Sequence, residues 1–360
     1  MDEIQQDNIY IRHQKIDRRQ PVFVSLQKSK LRKEKEELWV FNIEEEQKER
    51  VHQKIPLRKI SQIVLCHKNI SVTTPLLHAC LEMGIGVFYQ GAGTKPSGHF
   101  VALGNGGVGG RMAQYKMHFD TYGSLLVAKH LVKNKIQNAY QILRRNIAKE
   151  HFDTEARQEM KDFVRHVEES DNIDRVRGFE GSAARMYFGY FDGMIKREGV
   201  FWEFGSRTRQ PPQNPLNALL GYGYGCLYRE CILALQLAQL DIDLGFLHVP
   251  QSGRVSLALD LMEIFRAVLV DALVLTLINK KMIQEEDFEA RDGGVFLTKS
   301  GRKTWIYAWE QRLQQCIQHP LLGFEMSYKR CIVEQAQLLK QFMMHYSNGE
   351  KQPFPLFLIR

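Results

Sequence analysis

Short runs rich in Val, Ile, Phe and Tyr recur through the first hundred residues, separated by polar clusters, which is the pattern of half-buried strands. The runs fall at residues 8–13, 21–28, 38–42, 62–66, 86–89 and 98–103. One helix interrupts them, with Thr74 as its cap, Pro75 in its first position and Gly84 at its end. After residue 110 the period changes. Residues 111–148 repeat their apolar positions at helical spacing without a proline, and most of the remainder continues in long helical segments. The pattern predicts an α+β chain: a small β-rich N-terminal domain over residues 1–103 and a larger all-helical domain over residues 111–360.

Between them lies Gly104-Asn-Gly-Gly-Val-Gly-Gly. Gly104, Gly106 and Gly109 satisfy the G-x-G-x-x-G spacing of a dinucleotide cradle. The preceding strands read as hairpins, however, and no acid closes a second parallel strand about 20 residues on, as that fingerprint requires. A glycine-rich hinge over residues 104–110 is the better reading.

At 360 residues the chain has room for two cores, and its 44% hydrophobic and 25% charged content is that of a soluble globular protein. The most apolar stretch, residues 267–278, is broken by Asp271 and too short to span a bilayer, so no membrane role is expected. The six cysteines, Cys66, Cys80, Cys226, Cys231, Cys316 and Cys331, form no C-x-x-C pair, and Cys226 and Cys231 lack a second pair to complete a zinc site. The first residues, Met-Asp-Glu-Ile-Gln-Gln-Asp, do not read as a secretory signal. Reduced thiols in the cytoplasm are the expectation. A net charge of +8 favours an anionic partner without naming one, and the excess is divided evenly between residues 1–110 and the rest.

The chemistry concentrates around one buried helix. Residues 257–278 are almost wholly apolar, yet Asp260 and Glu263 stand three apart on one face, and His248 precedes them at the end of Asp243-Leu-Gly-Phe-Leu-His. Acids at the edge of a buried helix are costly unless a cation neutralises them. An imidazole, two carboxylates and a third acid would make a hard-metal site of the kind that cuts or joins phosphodiesters, with Mg²⁺ or Mn²⁺ favoured over zinc. A third acid is available in Gly178-Phe-Glu180-Gly-Ser-Ala-Ala, where the small residues suggest a helix start. There an acid serves either the helix dipole or a ligand.

Basic residues surround this group. Arg207 and Arg209 precede a Pro-Pro turn, after which Asn214-Pro215 opens a helix with Asn214 as cap; the turn either offers guanidiniums to phosphates or is an ordinary surface turn. Residues 121–149 contain no acid, and Lys129, Lys133 and Arg144 fall within an arc of about 60° on one helix face, which points to duplex-backbone contact. Arg254 and Arg266 lie nearer the proposed metal, and Arg266 is equally placed to pair with Glu263 at i,i+3.

As an ordered set, these segments resemble the CRISPR-associated protein one family, the integrase of CRISPR adaptation. The resemblance rests on Glu180-Gly-Ser-Ala-Ala-Arg-Met-Tyr-Phe, Pro211-Pro-Gln-Asn-Pro-Leu-Asn-Ala-Leu-Leu-Gly-Tyr-Gly-Tyr, Gly245-Phe-Leu-His248 and Ser256-Leu-Ala-Leu-Asp-Leu-Met-Glu-Ile-Phe-Arg266. Lys54-Ile-Pro-Leu-Arg-Lys-Ile, Ser71-Val-Thr-Thr-Pro and the terminal Pro355-Leu-Phe-Leu-Ile-Arg360 also look like that family. The resemblance implies metal ligands at Glu180, His248 and Glu263, with Asp260 a further acid near the metal. It implies a metal-dependent DNA integrase and endonuclease that joins 3′-OH ends of short duplex DNA to a repeat array. It also implies dimerisation through the β-rich domain, and a small second adaptation protein bridging two homodimers. Two positions depart from the family pattern: Val255 and Ala267 stand where proline is usual.

Overall fold

The computed structural model describes residues 20–24, 26, 28–43, 48–89, 98–101, 107–148 and 150–359. The expected strand at residues 8–13, Gly104 and Gly106 of the expected hinge, and Lys149 lie outside the described residues. The chain divides into two compact units, Met1–Gly107 and Val108–Arg360.

Two four-stranded sheets build the first unit. One has the order β1 (Gln20–Val24), β5 (Ile60–Leu65), β7 (Gly86–Tyr89), β8 (Gly98–Phe100); the other has β4 (Glu49–Pro56), β3 (Glu37–Ile43), β2 (Ser29–Glu34), β6 (Ile70–Val72). They share a core in which Val24, Ile60, Ile63 and Val87 of the first sheet meet Leu31, Leu38 and Val40 of the second. Leu76, Ala79 and Cys80 of helix α1 (Thr74–Glu82) complete it. The alternation in β2 explains its place: Leu31 is fully buried between half-exposed charged neighbours.

Several sequence expectations are corrected here. Strands β2 and β4 escaped the hydrophobic pattern because they are mostly polar, and β6 because it is only three residues long; β4 lies at a sheet edge with its Glu, Arg, His and Lys exposed. The hairpin reading holds for β2–β3–β4, but β1, β5 and β7 pair in parallel. The α1 cap is Thr73, one residue earlier than expected, while Gly84 ends the helix with a positive φ of 66°.

Helices dominate the second unit: α2 (Val108–Phe119), α3 (Thr121–Asn146), α4 (Thr154–Glu169), α5 (Ile173–Gly189), α6 (Pro215–Leu237), α7 (Ser256–Phe265), α8 (Ala272–Asn279), α9 (Lys299–Gln314) and α10 (Tyr328–Ser347). It is not all-helical, as the periodicity suggested, because two short hairpins interrupt it: β9 (Phe288–Arg291) with β10 (Gly294–Leu297), and β11 (Cys316–Gln318) with β12 (Glu325–Ser327). Among the described residues, no helix is long and apolar enough to cross a membrane. The C-terminal end of the expected hinge is also helix. Gly109 and Gly110 sit in the first turn of α2, where the Lys340 side chain packs over Gly110.

Side-chain caps start several of these helices. Asp120 accepts from the Tyr122 and Gly123 amides to open α3, Asp153 from Ala156 to open α4, and Asn214 from Asn217 to open α6 as expected. Helix α3 is then fixed in height by two buried asparagines. Asn134 exchanges hydrogen bonds with the Phe357 backbone at 2.7 and 2.8 Å. Asn138 donates to the carbonyls of Phe357 at 2.8 Å and Ile264 at 3.0 Å, and accepts from the Ile359 amide. The segment containing Phe357, whose ring is fully buried, is thereby clipped to α3, and α3 to the end of α7. Between α7 and α8 the backbone takes six residues of π-helix, Arg266–Asp271, and Arg312 donates to the Val268 carbonyl within it at 2.8 Å.

Candidate metal centre

Three segments far apart in sequence line one cavity. Glu180 comes from α5, Glu263 from α7, and His248 from the connection between α6 and α7. Glu180 is not at a helix start, as its small neighbours suggested. Asn172 caps α5 two turns earlier, accepting from the Arg175 amide at 3.0 Å, so Glu180 projects from mid-helix.

Asp260 holds His248 in place. The Asp260 carboxylate is fully buried and accepts four hydrogen bonds: from the amides of Phe246, Leu247 and His248, and from the His248 ring through Nδ1 at 2.7 Å. Only a glycine fits at 245, since a Cβ there would lie 2.9 Å from Asp260 Oδ2 and 2.9 Å from the Ser256 backbone. A carboxylate oxygen against Nδ1 favours the tautomer that donates from that nitrogen, which turns Nε2 toward the cavity as an acceptor. Nε2 points toward Glu263, 4.0 Å from Oε1. Both oxygens of Asp260, the further acid expected near the metal, are engaged by these four hydrogen bonds, which hold the imidazole in place.

Between the two glutamates sits Lys135 of α3. Its ammonium contacts Glu180 Oε1 and lies 2.7 Å from Glu263 Oε2, while Arg266 Nε approaches Glu263 Oε1 at 2.9 Å from the other side. Burial alone pushes the Glu263 carboxyl up, but Arg266 and Lys135 outweigh it and hold the group down at about 2. Burial likewise favours loss of the Lys135 proton, and the two glutamates overcome it, leaving its pKa above the usual value. The i,i+3 pairing open for Arg266 in the sequence is thus formed.

These residues line a cavity of about 410 Å³ with Arg207, Arg209, Gly221, Tyr224 and Asp271. Its far wall is a stacked tier. Buried Asp271 accepts from Tyr187 at 3.0 Å and Tyr224 at 2.7 Å, and the guanidiniums of Arg266 and Arg207 lie 4.4 and 5.6 Å from the Tyr224 ring centre. Burial raises the Asp271 carboxyl to about 6 against the lowering effect of the two hydroxyls. Arg207 is further fixed by Asn217 Oδ1 at 2.7 Å.

The outer basic residues behave differently. Lys129 donates to the Glu168 carbonyl and Lys133 pairs with the Glu168 carboxylate, so α4 already engages two members of the expected phosphate-binding face; Arg144 remains exposed. Arg254 lies in a turn bridged to Gln251 and is not on the cavity wall. Lys135, Tyr187, Tyr224 and Asp271 are the residues sequence reasoning did not place at the site. A signal existed for Lys135, which falls four residues after Leu131 and seven before Ile142 on a buried face.

The donor set fits a hard divalent cation. It offers two carboxylates and an imidazole nitrogen, and Glu263 Oε2 is buried without a well-aligned hydrogen bond, held only by charge. The cavity wall at Gly221 is bare, since a Cβ there would meet nothing within 4 Å. Among the described residues, no three acidic, His or Cys side chains are already gathered as a ligand cage; the Lys135 ammonium lies between the two glutamates.

A β-rich unit followed by a helical unit whose cavity gathers acids, an imidazole and guanidiniums defines the structural class. The profile of the family described as CRISPR associated protein Cas1 matches residues 22–311, and the chain belongs to that family. A CRISPR-associated endonuclease Cas1 3 from Thermus thermophilus is 36% identical over 309 residues, covering 85% of this chain and 88% of the relative. A CRISPR-associated exonuclease Cas4/endonuclease Cas1 fusion from Geobacter sulfurreducens is 35% identical over 347 residues, 94% of this chain; the chain spans 60% of that fusion's length. The fold is shared with a casposase bound to integration product, at a TM-score of 0.65 and 19% identity over 93% of each chain.

Proposed function

We propose that this protein is a metal-dependent DNA integrase and endonuclease of CRISPR adaptation. In this reading Glu180, His248 and Glu263 hold Mg²⁺ or Mn²⁺, and Asp260 fixes the imidazole. Arg207, Arg209 and Arg266 receive the phosphate at the cavity wall. The observation that carries it is that Glu180, His248 and Glu263, from three separate segments, line one arginine-walled cavity, in which the two glutamates share one cation and His248 Nε2 faces Glu263.

The reaction proposed is transesterification. A 3′-hydroxyl oxygen of the incoming duplex attacks a phosphorus of the repeat, a new O–P bond forms, and the bond to the repeat's own 3′ oxygen breaks. The number of phosphodiesters is unchanged, so no nucleotide cofactor or protein nucleophile is needed. A bound divalent ion would neutralise charge on the attacking and leaving oxygens. Arg266, stacked on Tyr224, and Arg207, held by Asn217, hold the phosphate against that charge. The relatives named as endonucleases and the casposase solved with integration product support this chemistry. The family resemblance supports a homodimer bridged by the small second adaptation protein.

The test is a half-site integration assay in Mg²⁺ or Mn²⁺. Joining is expected with free 3′ ends and should vanish when they are blocked, whereas a stand-alone nuclease would still cut. Glu263→Ala should abolish joining while leaving duplex affinity nearly intact. Retained joining with a large loss of affinity would refute the ligand assignment and favour a binding scaffold.

A further inference from the structure

The position of Lys135 points to a role beyond ion pairing, and the inference rests on the metal reading above. We propose that Lys135 is a placeholder cation: its ammonium keeps Glu180 and Glu263 together before loading and must yield its position when the divalent ion binds. Metal uptake is then an exchange of one cation for another.

Charge balance supports the exchange. Glu180 and Glu263 carry two negative charges, and Lys135 and Arg266, both within ion-pair distance, cancel them. Adding a divalent ion while the ammonium stays would leave two uncompensated positive charges in a buried site, which a low-dielectric interior penalises heavily. Withdrawal of Lys135 leaves one, the charge that a single phosphodiester supplies when it enters the cavity. Sterics agree, because the ammonium contacts both carboxylates that would have to turn toward the metal. Arg266 does not have to leave, since it approaches Glu263 through the other oxygen. Withdrawal is open to Lys135 because its flexible stem can carry the charge away, while Asn134 and Asn138 keep the helix itself in place.

The test is Mn²⁺ binding by calorimetry on the full chain, with the melting temperature of the metal-free protein as a second readout. Lys135→Met removes the competitor and keeps an unbranched stem. It should bind Mn²⁺ at least tenfold more tightly than wild type, while melting lower without metal and gaining more when metal is added. A lysine that merely supported the site would give the opposite sign, weaker metal binding on removal. Lys135→Arg covers the case in which Lys135→Met fails to fold: a guanidinium fork grips two carboxylates more firmly, and Mn²⁺ affinity should fall about tenfold. Wild type that binds Mn²⁺ with Lys135→Met no tighter, or Lys135→Arg no weaker, overturns the placeholder alone. Wild type and variants that all take up no Mn²⁺ overturn the metal reading with it.

Discussion

Replacing Asp260 by asparagine separates an orienting carboxylate from a ligand. The native carboxylate accepts four hydrogen bonds with its two oxygens in full burial. An amide keeps one acceptor oxygen and turns an NH₂ toward the other pair of partners. Set toward Phe246 and Leu247, it leaves both amides without an acceptor; set toward His248, it leaves that amide without one and turns the ring to the tautomer that accepts at Nδ1. At about 1–3 kcal/mol for each unsatisfied group, Asp260→Asn should cost the metal-free protein about 1–6 kcal/mol. That is a large part of a typical domain's stability of about 5–15 kcal/mol. The imidazole is also freed to turn, and an outer partner of a metal-bound histidine commonly matters about 10- to 100-fold in affinity. Urea denaturation of the metal-free protein and Mn²⁺ calorimetry read the two effects. The reasoning fails if the denaturation midpoint is unchanged while metal binding is abolished, because that pattern belongs to a direct ligand.

Four other outcomes follow from the same geometry. Asp271 has a folded pKa of about 6 against its ordinary 3.8, so the stability it lends is complete below 3.8 and lost as pH rises through about 6. Asp271→Asn should flatten that decline, by about 3 kcal/mol at most, in urea titrations from pH 4 to 7 of the metal-free protein; an unchanged slope would count against it. Glu263 runs the other way: held near 2, it contributes above its ordinary 4.5 and loses that contribution as pH falls toward 2. For DNA, Arg207→Ala and Arg209→Ala should each lower the salt slope of duplex affinity by about 1, measured by fluorescence anisotropy. Lys129→Ala and Lys133→Ala, already engaged by Glu168, should change it much less. Asn138→Ala should cost about 2–4 kcal/mol and make the Phe357 segment more sensitive to limited proteolysis, since three buried hydrogen bonds go with it.

His248 and Glu263 were legible because they stand beside and inside an otherwise apolar run, whereas Glu180 was marked as a ligand only by the family resemblance. The change from strands to helices near residue 110 was also legible, since periods of 2 and 3.6 leave different marks. What escaped was set by partners distant in sequence. Strand β2 reads as a charge run until Leu31 is seen facing the core of both sheets. Glu180 read as the start of a helix because the local signal of small residues was stronger than the Asn172 cap that actually opens it. The basic face of α3 was a correct observation of composition, but an acid 39 positions after Lys129 engages two of its members, and no local pattern contains that information.

The buried side of α3 ties fold and site together. Asn134, Lys135 and Asn138 occupy a helix face that would ordinarily be apolar, and each would destabilise the core if left without partners. They are satisfied by different parts of the chain: the asparagines by the Phe357 segment and the end of α7, the lysine by Glu180 and Glu263. The asparagine bonds set the height of α3 against α7 to within a hydrogen-bond length, and that height decides whether the ammonium reaches Glu263. The following π-helix acts on the same register. Its i→i+5 turns wind more slowly than an α-helix, so Glu263, Arg266 and Asp271 all line one cavity although they span more than two turns. Site geometry therefore depends on backbone contacts remote from any proposed ligand. A substitution at Asn138 should disturb metal affinity as well as stability, whereas one on the exposed face of the same helix should disturb neither.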